Sequence, residues 1–362
     1  MGSSVLEMLI GLHEAGLLKQ VIVSSSITTR LPASMITAQG VWGRVQKRLS
    51  LYDPSKWAAN YLESCFFDWW ASRVMKPAEI FSSWTGIALT SLQIAHARGL
   101  RTILGLGSAH PRTVNDLMNA ERQRWRLPPL RETPFARRIE RELALADRVI
   151  VQSRFSESSL IARGVLADKL IRIPLGVDVR RFQPASSKAA HPFRVLFLGQ
   201  VMLRKGVQYL LEAWRQLDWR DAELWVVGNA LPDGQLVLKR YADLPGLRVM
   251  GHVPDQLAAF QSADVFVAPS VEDGFGLTVT EAMACGLPVI VSDHVGAADL
   301  VTPDESGFVV PYDNIAGYVM ALETLRANPD RARQMGQAGR AAAVNQTWDV
   351  YRQARVNCYL TG

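Results

Sequence analysis

Six short apolar runs in the second half of this chain, RVLFLG, AELWVVG, LRVMG, VFVAPS, PVIVS and GFVVPY, are separated mostly by stretches with helical spacing. This alternation constrains the fold more than any other feature. Runs without polar interruption read as strands buried on both faces, so the sheet is parallel and helices cover both sides. The first half repeats the pattern more loosely, with VIVSS (21–25), AEIFSSW (78–84), RTILGLG (101–107), RVIVQS (148–153) and LIRIPLGV as strand-like runs. Between the halves, RRFQPASSKAAHP (180–192) is polar, proline-bearing and rich in small residues, which marks a linker. The expected architecture is α/β, with two doubly wound Rossmann-like parallel-sheet domains facing a cleft. They span 1–182 and 194–345, joined by 183–193, and 346–362 forms a last helix crossing back to the first domain. Ligands of such sheets sit beyond the carboxyl ends of the strands.

A chain of 362 residues fits two domains, and no run approaches the roughly 18 apolar residues of a membrane span. The start, MGSSVLEMLIGLHE, lacks the basic leader of a secretory signal. Three scattered cysteines argue against a disulfide framework or a zinc site and fit a reducing, cytoplasmic setting. Charge is uneven: residues 1–190 hold 26 Lys and Arg against 15 Asp and Glu, or +11, and residues 191–362 hold 14 against 19, or −5. A basic half can face phosphate, anionic lipid or nucleic acid, or can be an arginine-rich solvated surface.

The stretch EDGFGLTVTEAMACGLPVI (272–290) follows VFVAPS and so lies at the carboxyl end of a strand. Gly274 and Gly276 allow a tight turn and a close approach to a ligand. A helix starts near Leu277 and ends before Gly286, with Pro288 beyond it. Its first free N–H groups form a ready anion site. Asp273 in the loop and Glu281 one turn into the helix can face one pocket, and carboxylates are good acceptors for paired sugar hydroxyls. A diphosphate on the amides with sugars on the carboxylates describes a nucleotide-sugar. The competing reading is a solvated loop acid and an exposed helical glutamate.

This stretch closely resembles the signature of glycosyltransferase family 4, retaining enzymes of the GT-B fold. The family pattern is Glu, seven residues, Glu, with GFG between. The resemblance places the second acid at Glu281, on the ribose hydroxyls. The first falls at Asp273, on the donor sugar, where this chain has a shorter acid and where neighbouring Glu272 is an alternative. The loop amides of Gly274, Phe275, Gly276 and Leu277 would orient the donor. A second segment, LFLGQVMLRKGVQYLLEAW (196–214), is similar to the family's basic motif. Lys205 matches its lysine, Gln200 stands where the family has arginine, and Arg204 adds charge. Arg204 and Lys205 would neutralise the leaving diphosphate. By the same resemblance the Val253 backbone meets the nucleobase, and His110 in TILGLGSAHP is the cleft histidine near the reaction centre. Gly2 and Ser3 look like the tail of an acceptor-side loop, and the strand that precedes that loop in the family is expected to be missing here.

The resemblance implies a metal-independent hexosyltransferase that moves sugar from a nucleotide-sugar to a hydroxyl of a glycan, glycolipid or small molecule by front-face displacement. The nucleotide-sugar is a substrate, no cofactor is expected, and no Asp-x-Asp metal pair occurs. Two rivals remain: a GT-B nucleotide-sugar epimerase, and a non-catalytic nucleotide-sugar-binding protein favoured by Gln200 and Asp273. Nucleic acid is not an expected partner. QGVWGRVQKRLSLYDPSKW (39–57) mixes Trp42 and Trp57 with Arg44, Lys47 and Arg48, which suits peripheral contact with an anionic membrane or a connector packed on the first domain.

Overall fold

The computed structural model describes residues 3–24, 31–38, 57–186 and 190–361. Gly2 and the Trp42-containing segment 39–56 lie outside these residues, and Ser3 opens the first helix, Ser3–Glu14.

In the second half every run read as a strand is one. The strands are β7 (Phe193–Leu198), β8 (Ala222–Val227), β9 (Leu247–Gly251), β10 (Val265–Ala268), β11 (Val289–Ser292) and β12 (Gly307–Val310). They form one parallel sheet in the order β12-β11-β10-β7-β8-β9. The alternation of side chains along β7 shows why its run is apolar throughout. Val195 and Phe197 enter one core with Trp214 and Tyr318, while Leu196 and Leu198 enter another with Phe260 and Met283. The chain leaves β7 toward β8 and β9, then returns on the other side of β7 as β10. The loops after β7 and β10 therefore diverge at a topological switch point, where open sheets bind ligands.

The first half holds β3 (Ile80–Trp84), β4 (Arg101–Gly105), β5 (Arg148–Val151) and β6 (Leu170–Arg172) in one parallel sheet. A separate parallel pair joins β1 (Val21–Val23) to β2 (Ile36–Ala38). Among the described residues no strand links this pair to β3. β2 is only three residues long, too short to show a pattern in the sequence.

One apolar core runs through both halves, from Met8, Ile103 and Ile150 to Leu196, Phe275 and Val279. The last helix, Trp348–Thr361, returns to the first half. Arg352 pairs with Glu7 at 2.5 Å, and Arg101 Nη2 donates to the Tyr359 carbonyl at 2.9 Å. No described helix is long and apolar enough to cross a membrane.

Candidate active site

The turn after β7 and the loop after β10 are locked together by their backbones. The Arg204 carbonyl accepts the Val271 and Glu272 N–H groups at 2.9 and 3.3 Å. Gly206 has φ +69°, and a Cβ there would lie 1.8 Å from the Pro269 carbonyl oxygen, so only glycine fits. Two ion pairs cross the same seam. Arg204 meets Glu272 at 2.5 Å, and Lys205 Nζ meets Asp273 at 2.5 Å.

A cavity of about 240 Å³ opens beside this seam, between the two halves. Lys205, Asp273, Phe275 and Gly276 line it from the second half, and Gly107 and Gln152 from the first. Gly276 is the left-handed N-cap of the helix Leu277–Ala284, and Leu277 and Thr278 also line the cavity. N–H groups in a helix's first turn have no partner within the helix, so this end presents donors and a partial positive charge. The helix stops as expected, with Gly286 N–H on the Met283 carbonyl at 2.9 Å.

The predicted residues divide into those the fold brings to this cavity and those it does not. Lys205, Asp273, Phe275, Gly276 and Leu277 line it. Gly274 packs just behind, where its added Cβ would meet the Gly107 carbonyl oxygen at 2.2 Å. Glu281 lies four residues beyond Leu277 on the same helical face, although it is not a lining residue. It is half-buried, and burial pushes its carboxyl up to about 7, with Arg181 pulling weakly the other way. Gln200 is exposed and Val253 is half-buried in the loop after β9, and neither lines the cavity.

Three of the expected residues are placed away from this cavity. Glu272 does not face it as an alternative to Asp273. It is fully buried, with one oxygen on Arg204 and the other accepting the Ala109 N–H at 3.0 Å. Arg204 is held by that carboxylate rather than presented to the cavity. His110 lines a different cavity, of about 350 Å³, beside Arg112, Glu140, Arg163 and Lys169. Its Nδ1 caps the helix Pro111–Arg124 by accepting the Arg112 N–H at 3.2 Å, and burial lowers its pKa.

Sequence reasoning missed the contacts that join the halves. Ser153 Oγ donates to the Gly274 carbonyl at 2.9 Å. Glu121, buried, accepts from Tyr209 at 2.5 Å and from Gln208 at 3.0 Å. His294 is stacked between Phe155 of the first half and Tyr312 of the second, at 4.5 and 4.7 Å between ring centres. No local pattern marked them, since each joins residues far apart in the chain.

Residues 192–328 match the profile of the family Glycosyl transferases group 1. A D-inositol 3-phosphate glycosyltransferase of Pseudarthrobacter chlorophenolicus is 30% identical over 222 residues, 56% of this chain and 53% of the relative. A phosphatidyl-myo-inositol mannosyltransferase of Mycolicibacterium smegmatis is 36% identical over 167 residues, 43% of each chain. The chain thus spans about half the length of the curated relatives it matches. In fold the likeness extends to the whole chain. Anabaena HepE, solved in complex with UDP, superposes with a TM-score of 0.70 at 16% identity, covering 100% of this chain and 97% of the other. The two halves together adopt the GT-B fold.

Proposed function

We propose that this chain transfers a hexose-type sugar from a nucleotide-sugar to an acceptor hydroxyl with retention of anomeric configuration. The observation that carries this reading is the convergence of Lys205, Asp273 and a helix N-terminus on one cavity at the switch point. The donor diphosphate would take the first-turn amides and the Lys205 ammonium. Asp273, released from Lys205, would accept hydroxyl hydrogen bonds from the sugar, and Glu281 the ribose hydroxyls. In the front-face step the bond from the anomeric carbon to the phosphate oxygen breaks as the bond to the acceptor oxygen forms on the same face. The acceptor proton passes to the departing phosphate. Lys205 and the helix end meet the developing charge, so the reaction needs no divalent cation.

A lipid-borne acceptor at a membrane surface is supported by the helix Trp57–Val74. It exposes Leu62, Phe66 and Trp69 in a row, and Arg73 lies 3.9 Å over the Trp69 ring. A relative named as a phosphatidyl-myo-inositol mannosyltransferase points the same way.

The test begins with thermal stabilisation by UDP, GDP and ADP. One of them should stabilise the wild type, and Lys205→Ala should weaken it roughly 30-fold, about 2 kcal/mol. The sugar nucleotide of that base, with a hydroxyl acceptor, should give a product of unchanged anomeric configuration by NMR, at the same rate in EDTA. Absence of any nucleotide shift in a folded chain would overturn the reading. An inverted product would overturn retention. Sugar interconversion without an acceptor would make the chain an epimerase.

A further inference from the structure

Asp273 makes an isolated bridge with Val295, and the chain bends at Gly274. Asp273 lines the cavity, while Glu272 and Gly274 touch the first domain. Glu272 is the unusual member. A carboxylate with no exposure is tolerable only if both oxygens are met. Here one oxygen takes the Arg204 guanidinium and the other takes the main-chain N–H of Ala109. The first partner belongs to the turn that carries Lys205. The second belongs to the loop 106–110, which brings Gly107 to the cavity wall.

Resting on the proposed donor site, we infer that Glu272 is a positioning residue that couples the first-domain loop to the cationic turn of that site. Withdrawal of the loop removes the Ala109 N–H and leaves a buried carboxylate half satisfied. The Arg204 side chain and the turn behind it then lose their fixed position. The requirement is specific in both charge and reach. Glutamine offers one acceptor oxygen and one N–H₂ donor, so it cannot accept from both partners. Aspartate keeps the charge but is one methylene too short to span them. The segment therefore gives opposite tasks to two adjacent acids: Asp273 meets the ligand, and Glu272 reports that the opposite wall is in place.

Hydrogen–deuterium exchange of the full chain tests this at two places, the loop 106–110 and the turn 203–206. Glu272→Gln should speed exchange at both by about 10-fold, whereas Lys205→Ala should speed it only at the turn. Whichever of UDP, GDP or ADP stabilises the wild type should slow exchange at both places there, and only at the turn in Glu272→Gln. Glu272→Asp should behave as Glu272→Gln does, and it carries the test if the glutamine variant does not fold. A loop that exchanges at the wild-type rate in these variants overturns the coupling. Lys205→Ala loosening the loop equally also overturns it, because loss of site charge alone would then suffice. Unfolding of both Glu272 variants overturns it too, since such a link need not hold either domain together. If no nucleotide binds the wild type, the function proposed above fails, while the nucleotide-free comparison still decides this inference.

Discussion

The loop after β10 and the loop after β4 meet across the same cavity and contribute different chemistry to it. The second-domain loop supplies a carboxylate, a left-handed glycine and the end of a helix, all lining the cavity. The first-domain loop supplies main-chain groups: the Gly107 carbonyl against Gly274 and the Ala109 N–H on Glu272. In the proposed function, one side binds and the other closes. A lesion on the binding side should damage the second domain itself, and a lesion at the meeting line should spare both domains and damage only their fit.

Two glycines separate these outcomes, and the larger effect belongs to Gly206. An added methyl there meets the Pro269 carbonyl at 1.8 Å in a backbone with φ +69°. The two loops of the second domain must move apart, at a cost of about 3 kcal/mol or more. Gly206→Ala should lower the unfolding temperature by roughly 5–10 °C in calorimetry and abolish nucleotide stabilisation. A variant of unchanged stability would mean that the seam between these loops is not tight.

Gly274→Ala comes next. Its methyl would meet the Gly107 carbonyl at 2.2 Å, across the interface and without a positive φ. The clash is relieved by moving one domain against the other. The unfolding temperature should change by about 2 °C or less, and nucleotide affinity by titration calorimetry should fall about 10-fold. A fall in stability as large as that of Gly206→Ala would erase the distinction between binding side and closing side.

This division also explains what the sequence made legible. Strands β7, β10 and β11 were readable because both faces of each are largely buried and the runs are apolar, whereas the edge strand β9 is mostly exposed and was readable from its place in the strand–helix alternation. Lys205, Asp273 and the start of the helix Leu277–Ala284 were readable because charge, glycine and helical spacing fall within short segments. The closing contacts were not readable. Ala109 and Gly107 act through backbone atoms, which any residue type carries. Glu272 and Asp273 are both acids one position apart, and only the folded backbone assigns one to the cavity and the other to the interface. The placement of His110 depends on packing between the helix Pro111–Arg124 and Ser159, which takes the His110 N–H at 2.9 Å. No local pattern in the sequence records that contact.

A third test, read through pH, sharpens the binding side. The Glu281 carboxyl sits near 7 against an ordinary 4.5 because burial disfavours its charged form. A folded value above the unfolded one means that the folded chain holds this proton more tightly. The resulting penalty is absent below pH 4.5, grows as pH rises, and is complete above about 7. Glu281→Gln should therefore leave stability nearly unchanged at pH 5 and raise it by up to about 3 kcal/mol at pH 8. Binding should move the opposite way. A charged carboxylate accepts from two ribose hydroxyls at once, so wild-type affinity for the stabilising nucleotide should climb several-fold from pH 6 to pH 8. The glutamine variant reports the part of that climb due to the nucleotide's own titration, and its curve should be flatter. A group that costs stability at neutral pH and returns it as affinity is one shaped for a ligand. If the variant is no more stable at pH 8, or keeps the full wild-type climb, Glu281 is an ordinary half-buried acid, and the ribose must be held by the loop backbone instead.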